Sequence, residues 1–148
     1  MPIPPLNEKG LLPPGEHVCT LDEARKRFGS FQGNDHRRRL FSRLEQLVNE
    51  LRRSGLFSAL VVDGSFATAK SAPEDIDVIV AMRRGHDWAA DLSPDDYALV
   101  SRSVIRRRFG FDVFLAGDGD TAYGSYVEFF SRVRENATVR KGMLRIEL

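Results

Sequence analysis

Two hydrophobic periods alternate along this chain, and that alternation is its strongest constraint. Three short apolar runs carry the character of strands: Leu60-Val-Val62, Asp75-Ile-Asp-Val-Ile-Val-Ala81 and Phe111-Asp-Val-Phe-Leu-Ala116. Before them, Leu40, Phe41, Leu44, Leu47, Val48 and Leu51 recur at helical spacing, predicting a helix from about Asp35 to Arg53 that ends at Ser54-Gly55. Strands interleaved with helices must bury both kinds of face together. The expected class is therefore α/β (α+β): one domain, a small mixed sheet of three to five strands flanked by helices.

Local signals fill in the rest. Thr20-Leu-Asp-Glu23 is a capping box, predicting a short helix from Leu21 to about Phe28. Ser93-Pro94 starts another helix, expected to run to about Arg108 before Gly110. Tyr123 to about Glu135 reads as a last amphipathic helix, with Tyr123, Tyr126, Phe129 and Phe130 facing the core, and Met143–Leu148 as a terminal strand. Five of the seven prolines lie in residues 1–16, an extended arm preceding a domain over 17–148. At 148 residues there is room for one core and none for a separate substrate domain.

Charge and cysteine usage exclude several classes. Twenty-two basic against 21 acidic residues leave a net charge of +1, unlike a cationic nucleic-acid coat. One cysteine, Cys19, forms neither an internal disulfide nor a cysteine metal cluster, and reads as a small packed residue. No stretch has the ~18 apolar residues of a membrane span. The N-terminus lacks a signal-peptide pattern, so a cytoplasmic protein with no membrane partner is expected. The arginine runs 37–39, 52–53 and 106–108 read as solvated helix faces. Arg83-Arg84, directly after the acidic strand, is the better candidate for contact with an acceptor or nucleic acid. The Asp118-Gly-Asp120 stretch reads as a surface turn.

The chemistry concentrates between residues 60 and 116. A strand runs into Gly64-Ser65, where glycine admits close backbone approach and a helix start would offer donors to a phosphate. Asp75 and Asp77, two apart on a strand, project from one face. Paired carboxylates repel unless a cation intervenes, and Mg²⁺ binds through one or two carboxylates plus phosphate oxygens. Asp112, the one acid in the third run, would join them from an adjacent strand, and three acids suit two-metal phosphoryl chemistry. Asp63, just before the glycine, reads as a turn residue.

Gly64-Ser65, nine residues, Asp75-Ile-Asp77 and then Asp112 on a later strand resemble the nucleotidyltransferase superfamily of the polymerase-beta type, especially its minimal stand-alone members. The flanks, around Leu12–His17 and Tyr126–Arg145, resemble short prokaryotic proteins carrying that core. The resemblance implies transfer of a nucleoside monophosphate from a nucleoside triphosphate such as ATP to an acceptor hydroxyl on a protein, RNA or small molecule, with Mg²⁺ or Mn²⁺. It implies Asp75, Asp77 and Asp112 as catalytic metal ligands, and Gly64 and Ser65 as holders of the terminal phosphates. Minimal members often carry arginine soon after Gly-Ser; Phe66 and Thr68 stand there instead, with Lys70 as a substitute phosphate contact. Those departures keep a second expectation open: an inactive module of the same fold that binds nucleotide or a partner protein, as in a toxin–antitoxin pair.

Overall fold

The computed structural model describes residues 3–29, 35–63, 76–133 and 136–148. Its centre is a five-stranded mixed sheet. The strands are β1 (Gly15–Cys19), β2 (Phe57–Asp63), β3 (Asp77–Met82), β4 (Asp112–Gly117) and β7 (Gly142–Glu147), in the order β1-β7-β2-β3-β4. The β1–β7 and β3–β4 pairs are parallel, whereas β2 is antiparallel to both of its neighbours. A separate two-stranded ladder joins β5 (Arg132–Val133) to β6 (Asn136–Arg140). The α+β class and the small mixed sheet flanked by helices are as expected.

Side-chain alternation divides the core between the two faces of the sheet. One face carries Leu60, Val62, Val78, Val80, Val113, Leu144 and Ile146, packed against α2 (Asp35–Ser54) and its neighbours. The opposite face carries Ala59, Val61, Ile79, Ala81 and Met143 and receives Tyr123 and Phe130 of α5 (Thr121–Ser131). All six apolar α2 positions identified by spacing are buried. Leu44, Leu47 and Leu51 lose all contact with solvent, each contributing about 1.5–3 kcal/mol.

The capping box forms as predicted: Glu23 N–H donates to Thr20 Oγ1 at 3.1 Å, and Thr20 N–H to Glu23 Oε1 at 3.2 Å. It starts α1 (Leu21–Ala24), which continues as a π-helical turn over Arg25–Gly29. Leu12 in the proline-rich stretch is wholly buried and Ile3 nearly so.

Four expectations are corrected. The helix expected from Ser93 to Arg108 is two helices, α3 (Pro94–Val100) and α4 (Arg102–Phe109). Extended Ser101 breaks the run, and its Oγ accepts from Val104 N–H at 3.4 Å to cap α4. The last helix stops at Ser131, not near Glu135, because the chain turns into β5. Phe129, expected in the core, is 64% exposed. Arg37, expected on a solvated face, is 0% exposed; its Nη1 donates to Phe28 O at 3.2 Å. Burial pushes that guanidinium down to about 10.

Candidate functional site

The amino ends of β3 and β4 and the carboxyl end of β2 meet at one edge of the sheet. Asp63 closes β2 and pairs in register with Asp77, the first residue of β3. Asp77 in turn pairs with Asp112, the first residue of β4. Residues opposite each other in a ladder share a face. Three carboxylates therefore stand in a row across three adjacent strands, on the face that α5 covers farther along. Neighbouring strands lie about 4.8 Å apart.

The local sequence explains why Asp112 arrives there. Gly110 adopts a left-handed conformation with φ 78°, and its N–H donates to Arg106 O at 2.9 Å, ending α4. The chain then needs only Phe111 to enter β4. Arg106, one helical turn earlier, reaches Asp112, and the two form an ion pair. The Asp112 side chain stays 41% exposed.

Asp63 was expected in a turn, and that reading is corrected. It belongs to the strand and is 2% exposed, with Lys141 Nζ 3.4 Å from its Oδ1. Lys141 comes from the turn between β6 and β7, so a cation remote in sequence enters this edge. Nothing in the local sequence around Lys141 signals it.

Gly64, Ser65, Lys70 and Asp75 lie outside the described residues. Among the described residues, no group of three or more His, Cys, Asp and Glu side chains is gathered to hold a metal ion. Asp77 and Asp112 are adjacent hard oxygen donors, and such oxygens suit a hard divalent cation.

A second polar constellation sits at the opposite end of the sheet. Arg145 of β7 grips Asp118, which follows β4, with Nη1 to Oδ1 at 3.2 Å and Nη2 to Oδ2 at 3.0 Å. Ser58 Oγ donates to the same carboxylate at 2.8 Å. The Arg145 hydrogen bonds hold the Asp118 carboxyl below its usual range against the opposing effect of burial. Arg145 Nη1 also donates to Tyr123 Oη at 2.8 Å, and Tyr123 donates to Glu16 of β1. Burial first, then Glu16, pushes the Tyr123 phenol up. Burial opposes the charge on Arg145, but its bonds to Asp118, Glu147 and Tyr123 outweigh that and raise it. The Asp118–Asp120 segment is a turn, as read from the sequence, with Asp118 directed inward.

Beside this network, Arg83, Arg84, His86 and Trp88 line a cavity of about 230 Å³ with Asp118 and Asp120. The two ends are separated by the length of β4. No helix among the described residues is long and apolar enough to cross a membrane.

No curated protein matches the chain, and no solved structure does. A family model does match: it covers residues 4–147, almost the whole sequence. The chain therefore belongs to that family, DUF6932, described as a family of unknown function.

Proposed function

We propose that this protein is a metal-dependent nucleotidyltransferase that moves a nucleoside monophosphate from a nucleoside triphosphate to an acceptor hydroxyl. The observation that carries the reading is the alignment of Asp77 with Asp112 at one register on parallel strands. The strand beside them ends at Asp63, directly before Gly64-Ser65 in the sequence.

In this reading Asp77 and Asp112, with Asp75, hold Mg²⁺ or Mn²⁺. When bound, such an ion neutralises phosphate charge and lowers the pKa of the acceptor hydroxyl. Asp112 accepts the proton as the acceptor oxygen attacks the α-phosphorus. The bond from that phosphorus to the bridging oxygen breaks, and pyrophosphate leaves with the electron pair. Arg106 pairs with Asp112 Oδ1, and in this reading that pair opens as substrate binds. The freed guanidinium then lies close to where phosphate charge arrives, a role arginine suits. Gly64, Ser65 and Lys70 meet the terminal phosphates.

The test is incubation of the full chain with each α-phosphate-labelled nucleoside triphosphate, Mg²⁺ or Mn²⁺ and cell extract. Label should pass to protein, RNA or a small molecule. Asp77→Asn should abolish the transfer while circular dichroism stays unchanged.

The Arg106–Asp112 ion pair also favours a second reading. A carboxylate already neutralised by arginine suits a module that binds nucleotide or a partner protein without turnover, for example one half of a toxin–antitoxin pair. Saturable nucleotide binding by calorimetry with no label transferred selects this reading over the first.

A further inference from the structure

The cavity at the carboxyl ends of β3 and β4 holds parts that the reading above does not use. Ligands of open sheets commonly bind beyond the carboxyl ends of parallel strands. Here Met82 and Gly117 end two parallel neighbours, and Asp118 N–H donates to Met82 O at 2.8 Å to close the floor. Arg83 and Arg84 follow β3 directly and line the cavity. Among the described residues neither is in a salt bridge.

Space is left for them on purpose of sequence. Gly119 has φ 78°, a left-handed conformation that favours glycine, and Arg84 Nη2 lies over it, 2.5 Å from where a Cβ would stand. A Cβ at Gly117 would fall 2.2 Å from Asp120 Oδ2, so the second glycine admits the Asp120 carboxylate. Asp120 precedes α5 but makes no side-chain capping bond to it. Asp118 also faces Arg84, but its oxygens are already bonded to Arg145 and Ser58. The indole of Trp88 is 57% exposed at the rim, edge-on to His86 at 5.1 Å between centroids.

We infer that this cavity is a nucleotide site of the monophosphate class, distinct from the edge that bears Asp77 and Asp112. Two guanidinium groups take a phosphate monoester. An exposed ring offers a stacking surface to a flat base. A carboxylate without a capping duty accepts from a sugar hydroxyl. The cavity of about 230 Å³ takes the phosphate and sugar, and the base lies over the open rim at Trp88. Asp112 and Gly117 are five residues apart along β4, so the two ends lie about 17 Å apart at ~3.3 Å per residue. A single mononucleotide does not bridge them.

Trp88 is the only tryptophan in the chain, so its fluorescence reports on this cavity alone. The full chain is titrated with AMP, with inorganic phosphate and with adenosine, in the absence of divalent metal. AMP should change Trp88 emission saturably, with phosphate and adenosine each binding at least about tenfold more weakly. The Arg83→Ala, Arg84→Ala double variant should lose at least about tenfold in AMP affinity, the effect of removing charge-assisted bonds. Trp88→Ala, followed by calorimetry, should weaken AMP but not phosphate. The Asp77→Asn, Asp112→Asn double variant should bind AMP as the parent does, so failure of the transferase reading leaves this result standing. The assignment is overturned if AMP leaves the emission unchanged, if phosphate binds as tightly as AMP, or if the arginine variant, shown folded by circular dichroism, retains parental affinity.

Discussion

Arg145 and Asp118 form a two-point ion pair across the sheet, from the middle of β7 to the turn after β4. Both side chains are 15% exposed. The pair also carries Tyr123 of α5 and, through it, Glu16 of β1. One guanidinium thus ties together two strands, a turn and a helix.

Replacing it should be costly. Arg145→Met removes the cation and leaves Asp118 largely buried without it, which should destabilise the fold by about 2–4 kcal/mol. Adding Asp118→Asn to the same chain should recover part of that loss, because the two effects are coupled. Urea unfolding of the parent, both single variants and the double variant measures the coupling directly. Strict additivity would contradict it.

Acid should weaken the protein through the same pair. Asp118 has its carboxyl held below the ordinary 3.8 chiefly by the Arg145 hydrogen bonds. A depressed folded value means the stability is fully present above 3.8 and is lost as pH falls through the folded value. Asp118→Asn should therefore be less stable than the parent at neutral pH yet show a shallower fall in melting temperature below 3.8. Parallel acid limbs in the two proteins would count against this account.

Cys19 should be inert in the native protein. Burial first, then Glu23, pushes its thiol up to about 11 from 9.0. At pH about 8 a disulfide reagent should fail to label the folded chain and react promptly in urea, since the thiolate is the reactive form. The sign for stability is opposite to that of Asp118. A raised folded value gives stability that is complete below 9.0 and lost as pH rises toward about 11. Cys19→Ala should lack this alkaline component in pH-dependent melting.

Gly142→Ala should detach the outer strand. Gly142 pairs with Gly15, and its N–H donates to Leu12 O at 2.9 Å. An added Cβ would meet Pro13 O at 1.9 Å and His17 Nε2 at 2.8 Å. The strain should cost about 2–3 kcal/mol, and hydrogen exchange should show β1 losing protection before β2 and β3.

What could be read from the residues tracks what each residue buries. The α2 face and the three apolar runs were legible because both their sides, or one whole stripe, pack into the core. Gly15–Cys19 shows no strand pattern in sequence: it lies at the sheet edge, with Val18 outward and exposed, so no alternation marks it. The β5–β6 ladder is hidden for a related reason, since its mostly polar strands stand apart from the main sheet. Ser101 carries a capping signal, but the apolar spacing continues through it and hides the break. At the site, the meeting of Asp77 with Asp112 followed from two strand starts becoming neighbours. Lys141 beside Asp63 did not, because only the strand order brings residues so far apart in sequence together. Arg83 and Arg84 stand out as charges, whereas the space that Gly119 leaves beside Arg84 is a property of the folded turn.

The strand order has a consequence for biosynthesis. Residues of β2, β3 and β4 can pair with one another soon after they leave the ribosome, but the partner of β2 on its other side is β7. Until residues 142–147 emerge, β2 presents an unsatisfied edge of Ala59, Leu60, Val61 and Val62, all destined for full burial. Such an edge is a template for pairing with another nascent chain. β1, made first, waits longest, because its sole partner in the sheet is the same late strand. The β2 edge of the nascent half-sheet therefore stays open from the time β4 is made, at residue 117, until β7 is made.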